Sequence, residues 1–345
     1  MNATAVLAEP ATSEPQQVAD GIYRISVPVP FRGLRQVNLW LLEDGDGYTM
    51  IDCGWGDDQT RQRIDAAWDA LLDGKPVTRL LVTHFHPDHA GNCAYICRRW
   101  GLTPVMTQPE WMAANLALRS LYSDDFDLRA TFYAQNGLSE ALLDRYRAET
   151  VLYHDGVELT DAYRRIRAGD MLRIGDRQWR ILTGQGHSPD LAMLYSAEDD
   201  ILIAGDQILP KITTNVSVWP WEPLADPLGE FIETLGRLDA ELTAKTFVLP
   251  SHRDPFHDAH ARIAELKRHH AERMDEVKAL LSHDEPRAAG VLLEPLFKRE
   301  LDGHQVNFAM GEALAHLNRL VFQGDVERNV DGNGIIRFSL SRARS

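Results

Sequence analysis

Apolar positions in the first third of the chain fall in short runs with strand character. Residues 22–29, 37–42 and 48–51 form such runs, the last two joined by Glu43-Asp44-Gly45-Asp46-Gly47, a composition that reverses a chain. From Asp57 to Leu72 the period changes. Ile64, Ala67, Trp68 and Leu71 recur at helical spacing, which gives one apolar face. The run Leu80-Leu81-Val82 then reads as the end of a buried strand. Strand, helix, strand is the α/β pattern.

Thr103 to Met106 predicts another strand, and Pro109 to about Thr150 predicts mainly helix, broken near Ser123-Asp124-Asp125 and Asn136-Gly137. Its large side chains, Trp111, Met112, Leu116, Leu118, Leu121, Tyr122, Phe126, Phe132 and Tyr133, exceed what one surface helix needs. Two expectations follow. The side chains pack the helices on the sheet and on each other, or some of them, with Trp111, Met112, Tyr122 and Phe126 foremost, roof a cleft and contact substrate. Arg165 to Asp170, Met171 to Leu182, Ala192 to Ser196 and Ile201 to Ala204 give further strands, and Pro227 to Leu238 and Ile263 to Leu281 give helices. In the tail, Val291, Leu292, Leu296 and Phe297 show helical patterning, Val306 to Phe322 a second helix, and Val326 to Phe338 a hairpin turning at Asp331-Gly332-Asn333-Gly334. Met1 to about Val18 has no apolar periodicity and reads as a disordered leader.

At 345 residues the chain has room for a large domain and a small one. Charge is unevenly placed. The 13 basic and 13 acidic residues of 261–345 cancel, so the net charge of −15 rests on residues 1–260 and repels polyanions at long range. Cys53, Cys93 and Cys97 form no even disulfide framework, and the N-terminus lacks a basic stretch followed by an apolar core, so a reducing cytoplasm is expected. Cys93 and Cys97 lie one helical turn apart but read as small buried hydrophobes. No apolar run reaches membrane-spanning length, and the sequence leaves a homodimer open.

Chemistry concentrates in Thr83-His84-Phe85-His86-Pro87-Asp88-His89-Ala90-Gly91-Asn92. In the extended chain after the buried strand, residues two apart point the same way, so His84 and His86 face one point. Pro87 then turns the chain and brings Asp88 and His89 round at the start of a helix beginning near Ala90, aimed at a second point. Imidazole and carboxylate are zinc donors, and seven of them would serve two cations that share a hydroxide. This stretch supplies four.

The stretch resembles the His-x-His-x-Asp-His signature of the metallo-β-lactamase superfamily, with further matches in Gly186-His187-Ser188-Pro189, Ile203-Ala204-Gly205-Asp206 and Leu249-Pro250-Ser251-His252. The resemblance implies an αββα sandwich over residues 19–260, with a helical insertion at about 109–150. It implies that His84, His86 and His187 hold one zinc ion, that Asp88, His89 and His252 hold a second, and that Asp206 bridges them. Asp52, in Asp52-Cys53-Gly54, would orient a ligand histidine from behind. Residues 261–345, through Gly311-Glu312-Ala313-Leu314-Ala315-His316-Leu317 and Gly324, resemble the winged-helix domain appended to some members. Its would-be recognition helix carries only Arg319 as a basic residue, against Glu312, which argues against nucleic acid as a partner.

Within the family, His86 where an oxidoreductase branch has Glu points to zinc and hydrolysis, and Asp206 points away from lactam cleavage. The expected activity is hydrolysis of an ester-type bond by a hydroxide shared between the metals, with Asp88 orienting it or shuttling its proton. A thioester such as an acyl-glutathione or acyl-carrier conjugate is the preferred substrate; a lactone, a phosphodiester or RNA, and a non-catalytic metal-binding role are the alternatives. Asn215 and Trp219, in the Pro-interrupted stretch Lys211 to Trp221, and Arg253 are the candidates for substrate selection.

Overall fold

The computed structural model describes residues 14–31, 34–71, 73–120 and 128–342. Seven strands form the first sheet in chain order: β1 (Gln16–Ala19), β2 (Ile22–Phe31), β3 (Leu34–Asp44), β4 (Gly47–Ile51), β5 (Val77–Leu81), β6 (Val105–Thr107) and β7 (Arg164–Ile166). The first four pair antiparallel through tight turns. From β4 to β7 the pairing is parallel, which requires crossovers. These are α1 (Asp58–Leu71) before β5; α2 (Pro87–Ala90) and α3 (Cys93–Trp100) before β6; and α4 (Gln108–Ser120), α5 (Leu128–Gln135) and α6 (Glu140–Glu149) before β7.

The second sheet orders β8 (Met171–Ile174), β9 (Arg177–Gly184), β10 (Leu191–Ser196), β11 (Ile201–Gly205) and β12 (Phe247–Pro250). Its last pair, β11 and β12, is parallel and spanned by α7 (Pro227–Glu241). The sheets stack on Trp40, Leu42, Ile51, Leu81, Trp179, Ile181, Leu194 and Ile203, all buried. Strand β3 shows why the layers form. Trp40 and Leu42 point into this inter-sheet core, while Leu39 and Leu41 point to the opposite face, where Ile64 and Trp68 of α1 and Ile96 of α3 cover them. On the outer face of the second sheet, Met193, Leu202 and Val248 meet Phe231 and Leu235 of α7 and Ile263 of α8 (Ala259–Ala279). The result is an αββα sandwich.

The helical insertion divides its packing. Ala113, Ala114 and Ala117 of α4 join the core against the first sheet, whereas Phe132, Tyr133, Leu143 and Tyr146 of α5 and α6 join the second core together with α10 (Gly303–Gln323). The tail runs α8, a short turn of helix over Ala289–Leu292, α9 (Leu293–Phe297), α10 and the hairpin β13 (Val326–Val330) and β14 (Ile336–Leu340). Asp302 caps α10, its side chain accepting from Gln305 N while Gln305 reaches back to Asp302 N, and Gly324 at φ 82° ends it. No residue from Ala309 to Leu320 is exposed. The only Lys or Arg of that helix, Arg319, is paired with Asp226 at 2.8 Å.

Several boundaries differ from the sequence reading, three of them near the sheet edge or the donor cluster. Gln16–Ala19, placed mostly in the leader, is an edge strand held by pairing to β2; residues 1–13 lie outside the described residues. Strand β6 begins at Val105 and ends at Thr107, later at both ends than the expected strand. The helix expected from Ala90 begins at Pro87, because proline at the first helical position lacks only an N–H that would be unpaired there, and its fixed φ suits the helix.

Candidate metal centre

Every strand or loop that carries one of the seven singled-out donors delivers it at the same edge of the sandwich. His84 and His86 lie just past β5, and Asp88 and His89 lie in α2. His187 lies between β9 and β10, Asp206 one residue past β11, and His252 two residues past β12. Gly186 permits the turn before His187. It sits at φ 96°, and a Cβ there would lie 2.3 Å from the Pro227 carbonyl oxygen.

The donor atoms converge. His84 Nε2 is 3.1 Å from His86 Nδ1 and 3.2 Å from His187 Nε2. Asp88 Oδ2 is 3.4 Å from His252 Nε2 and 3.6 Å from His89 Nε2. Asp206 Oδ2 stands between the groups, at 3.5 Å from His187 Nε2, 3.6 Å from His89 Nε2 and 3.4 Å from His252 Nε2.

Hydrogen bonds behind the rings fix which nitrogen is bare. His187 Nδ1 faces the Asn215 carbonyl at 2.7 Å, and His252 Nδ1 faces the Gln36 carbonyl at 2.8 Å. A carbonyl only accepts, so Nδ1 carries the hydrogen and Nε2 presents its lone pair to the cluster. His89 Nδ1 meets Asp52 Oδ2 at 2.8 Å with the same consequence. Thr83 Oγ1 donates to Asp52 Oδ2 at 2.8 Å and therefore accepts from His84 Nδ1 at 3.0 Å. Four imidazoles thus aim lone pairs at two buried carboxylates. Among the described residues, Nε2 of His89 and of His252 and Oδ1 of Asp206 find no hydrogen-bond partner. Acceptors gathered in a buried place repel one another unless cations lie among them, so this donor set suits a divalent metal site.

The electrostatics are consistent with that. Burial, reinforced by neighbouring imidazoles, holds His84 and His86 well below the ordinary histidine range, in the neutral form that binds metal. At His252 burial pulls down as well, but Asp206 and Asp88 outweigh it and raise the ring to about 10. Burial would raise Asp206, yet His252 and His89 hold it well below the carboxylate range. Without cations, protons take their place on the His252 side.

Asp52 supports the cluster from beneath, fully buried at φ 62°, with Oδ1 accepting from Thr83 N at 2.7 Å. Above the cluster lies a cavity of about 220 Å³ whose walls include Phe85, Tyr153, Leu209, Val218 and Trp219. Asn215 lines it and reaches His187 through its backbone carbonyl. The Trp219 ring sits 6.1 Å from His86, stacked on Trp221 at 4.6 Å with the Arg129 guanidinium 4.7 Å from its centre.

Three candidates fall elsewhere. Trp111 does not line the cavity; its ring stacks on Tyr163 at 4.7 Å and packs against the core of the first sheet, with Met112 exposed beside it. Arg253 is exposed, with a left-handed backbone at φ 70°, and among the described residues its carbonyl accepts from Asn38 Nδ2 at 2.7 Å. Tyr122 and Phe126 lie outside the described residues. Conversely, the cavity walls include Tyr133 of α5, one of the large side chains the sequence offers as a roof, together with Arg129 of α5 and His304, Asn307 and Phe308 of α10, which the sequence does not mark as site residues. Their helical spacing is that of ordinary packing, and nothing local reports contact with a site far away in sequence.

Residues 32–280 match the metallo-beta-lactamase superfamily, and residues 274–341 match the metallo-beta-lactamase-like C-terminal domain. The chain belongs to the metallo-beta-lactamase superfamily. A beta-lactamase domain protein from Burkholderia ambifaria superposes with a TM-score of 0.88 at 40% identity, covering 97% of each chain. A metallo-beta-lactamase family protein from Thermus thermophilus gives 0.79 at 27% identity, over 94% of this chain and 100% of that one. Acyl-coenzyme A thioesterase MBLAC2 of Gallus gallus is 27% identical over 230 residues, 64% of this chain and 74% of the relative. The chain spans only 40% and 38% of the length of the first two curated relatives it matches. Relatives in the superfamily include hydrolases, by name a thioesterase and an alkylsulfatase, and this chain shares the family's sandwich and has a His/Asp cluster at its edge. No helix among the described residues is long and apolar enough to cross a membrane.

Proposed function

We propose that the chain is a zinc-dependent hydrolase of acyl thioesters. His84, His86 and His187 would hold one cation, Asp88, His89 and His252 a second, and Asp206, whose Oδ2 stands between these two groups of side chains, would serve both. The observation that carries this reading is the set of four ring tautomers locked from behind so that bare nitrogens face two carboxylates. When bound, the metal pair supplies Lewis acidity and brings the pKa of a water towards about 7.

The chain's own groups do the rest. Asp52 keeps His89 turned to the cluster, and the Asn215 carbonyl does so for His187. Phe85, Tyr153, Leu209, Val218 and Trp219 shelter an acyl chain and keep bulk water from the reacting carbonyl. A carboxylate oxygen of Asp88, on the cavity wall, takes the proton released by the attacking water and returns it to the leaving thiolate. Residues 261–345 act as a second unit that completes the cavity through His304, Asn307 and Phe308. The apolar walls favour an acyl conjugate over a small polar ester, and the name of the MBLAC2 relative supports the thioester class. The free thiols of Cys53, Cys93 and Cys97 fit a reducing cytoplasm.

The test is a hydrolysis panel of acyl thioesters of graded chain length, lactones, β-lactams and phosphodiesters, run with the zinc-loaded and the chelated protein. Chelator-sensitive cleavage led by thioesters is expected. A lead for lactones or phosphodiesters would replace the substrate class, and an inert panel would overturn the hydrolase reading.

A further inference from the structure

Glu110, in the first turn of α4, is fully buried, and no Lys or Arg pairs with it among the described residues. Its carboxylate accepts three hydrogen bonds: Oε2 takes Phe85 N at 2.9 Å, while Oε1 takes Ser188 Oγ at 2.7 Å and Asp190 N at 2.6 Å. Phe85 is the residue between His84 and His86, and Ser188 follows His187. One side chain therefore spans the two loops whose three imidazoles face each other. The Phe85 carbonyl is held as well, by the Tyr153 hydroxyl at 2.5 Å, so both peptide groups flanking this residue are fixed in orientation.

A buried carboxylate without a cation is costly. Burial pushes Glu110 up to about 7, even against the three donors. The three hydrogen bonds do not by themselves call for a charged group, since a neutral amide would meet two of the three donors. Nor is Glu110 needed to join the two strands, because Ala192 N donates to the Thr83 carbonyl at 2.9 Å on its own. What Glu110 adds is a direct tie between the loop tips, from Phe85 N on one to Ser188 and Asp190 on the other.

We propose that Glu110 is a positioning residue that holds the His84–His86 loop and the His187 loop in register and so sets the affinity for the cation these three imidazoles bind. The inference rests on the metal reading of the cluster. Glu110→Gln is the informative variant. It keeps the volume and one acceptor for Ser188 and Asp190, but turns an amide donor towards the Phe85 N–H.

The experiment titrates zinc into metal-free wild type and Glu110→Gln against a chromophoric chelator. It also records the absorption of the cobalt-loaded forms and the thermal unfolding of both metal-free proteins. The variant is expected to bind zinc roughly 10- to 100-fold more weakly, the effect of losing a group that orients a ligand. Its cobalt bands should shift, and its metal-free melting should stay close to wild type. A merely structural role would move the melting and leave the affinity alone, so a folded variant within about threefold of wild-type affinity overturns the proposal. Should Glu110→Gln fail to fold, Ser188→Ala, which removes one donor and leaves the carboxylate, is expected to weaken zinc several-fold, and unchanged affinity there overturns it equally. If the wild type takes up no zinc, the metal reading itself has failed; if wild type binds and the variants bind alike, only the role of Glu110 has.

Discussion

The floor and the walls of the cavity are built on different principles. The floor is made of strand ends, and the identity of each side chain there follows from donor chemistry: an imidazole held by a carbonyl or carboxylate behind it, or a carboxylate among imidazoles. The walls come from α5, α10 and the loop through Trp219, and their side chains are chosen by shape and polarity. Replacing a floor residue changes what the site can hold. Replacing a wall residue changes which molecule fits.

Asp206→Asn breaks the comparison most sharply. Its Oδ2 is within 3.6 Å of three imidazoles that carry bare nitrogens, so an amide there loses a negative charge and turns a donor or a neutral oxygen towards cations. Turnover should fall roughly a thousandfold, equivalent to the several kcal/mol such a metal contributes. Zinc content should fall with it while the circular dichroism spectrum stays native. Full activity at limiting zinc would show that the carboxylate between the groups is dispensable.

The floor should also respond to pH in a way the walls do not. Without cations, His252 is raised to about 10 and His89 well above its ordinary value, Asp206 and Asp88 outweighing burial at both, so each ring holds a proton at neutral pH. Zinc must displace those protons, so its affinity rises with pH below the raised values and falls as pH drops. Two displaced protons correspond to at most about a hundredfold per pH unit. Competition titrations at pH 6, 7 and 8 measure the slope, and a flat profile would remove the proton-for-metal exchange.

A wall substitution should act on substrate choice instead. Phe308→Ala removes a half-exposed ring that α10 contributes to the cavity. Partial loss of the ~1.5–3 kcal/mol for burying such a ring predicts about a tenfold rise in KM for long acyl chains, with short chains and zinc affinity little changed. Equal effects on all chain lengths would place the ring outside the acyl path.

This division also explains what the sequence discloses. His84, His86, Asp88 and His89 crowd into six positions, so donor type and spacing single them out, whereas His187, Asp206 and His252, each just past a strand, are marked through the family resemblance. Trp111 shows the limit: its size suggests a roof, but the partner that decides its place, Tyr163, lies far along the chain and turns the ring onto the sheet. Arg253 misleads for a different reason, since adjacency to His252 carries no information about a left-handed backbone between them. Glu110 looks like any acidic residue in a helix's first turn. The α/β alternation is legible in the periodicity and the αββα layering comes with the family resemblance, whereas the docking of α10 onto α6 and α7 rests on contacts that no periodicity encodes.

The smallest expected effect concerns the tail. Helix, helix, hairpin is an order compatible with a nucleic-acid reader, and the comparison of floor and walls would fail if α10 served a partner rather than the cavity. Its geometry leaves little for such a partner. Ala309 to Leu320 has no exposed residue, and Arg319 is engaged by Asp226. The 13 basic and 13 acidic residues of 261–345 cancel, and the −15 of the remaining chain opposes approach of a polyanion. Counterion release then has few cations to drive it, so duplex DNA or RNA should bind no tighter than the ~10⁻⁴ to 10⁻⁶ M of nonspecific complexes, with a shallow dependence on salt. Fluorescence anisotropy with labelled duplexes at 50 and 200 mM salt reads both quantities. Submicromolar binding with a steep slope, accompanied by metal-dependent strand cleavage, would make the tail an interface and the phosphodiester the substrate.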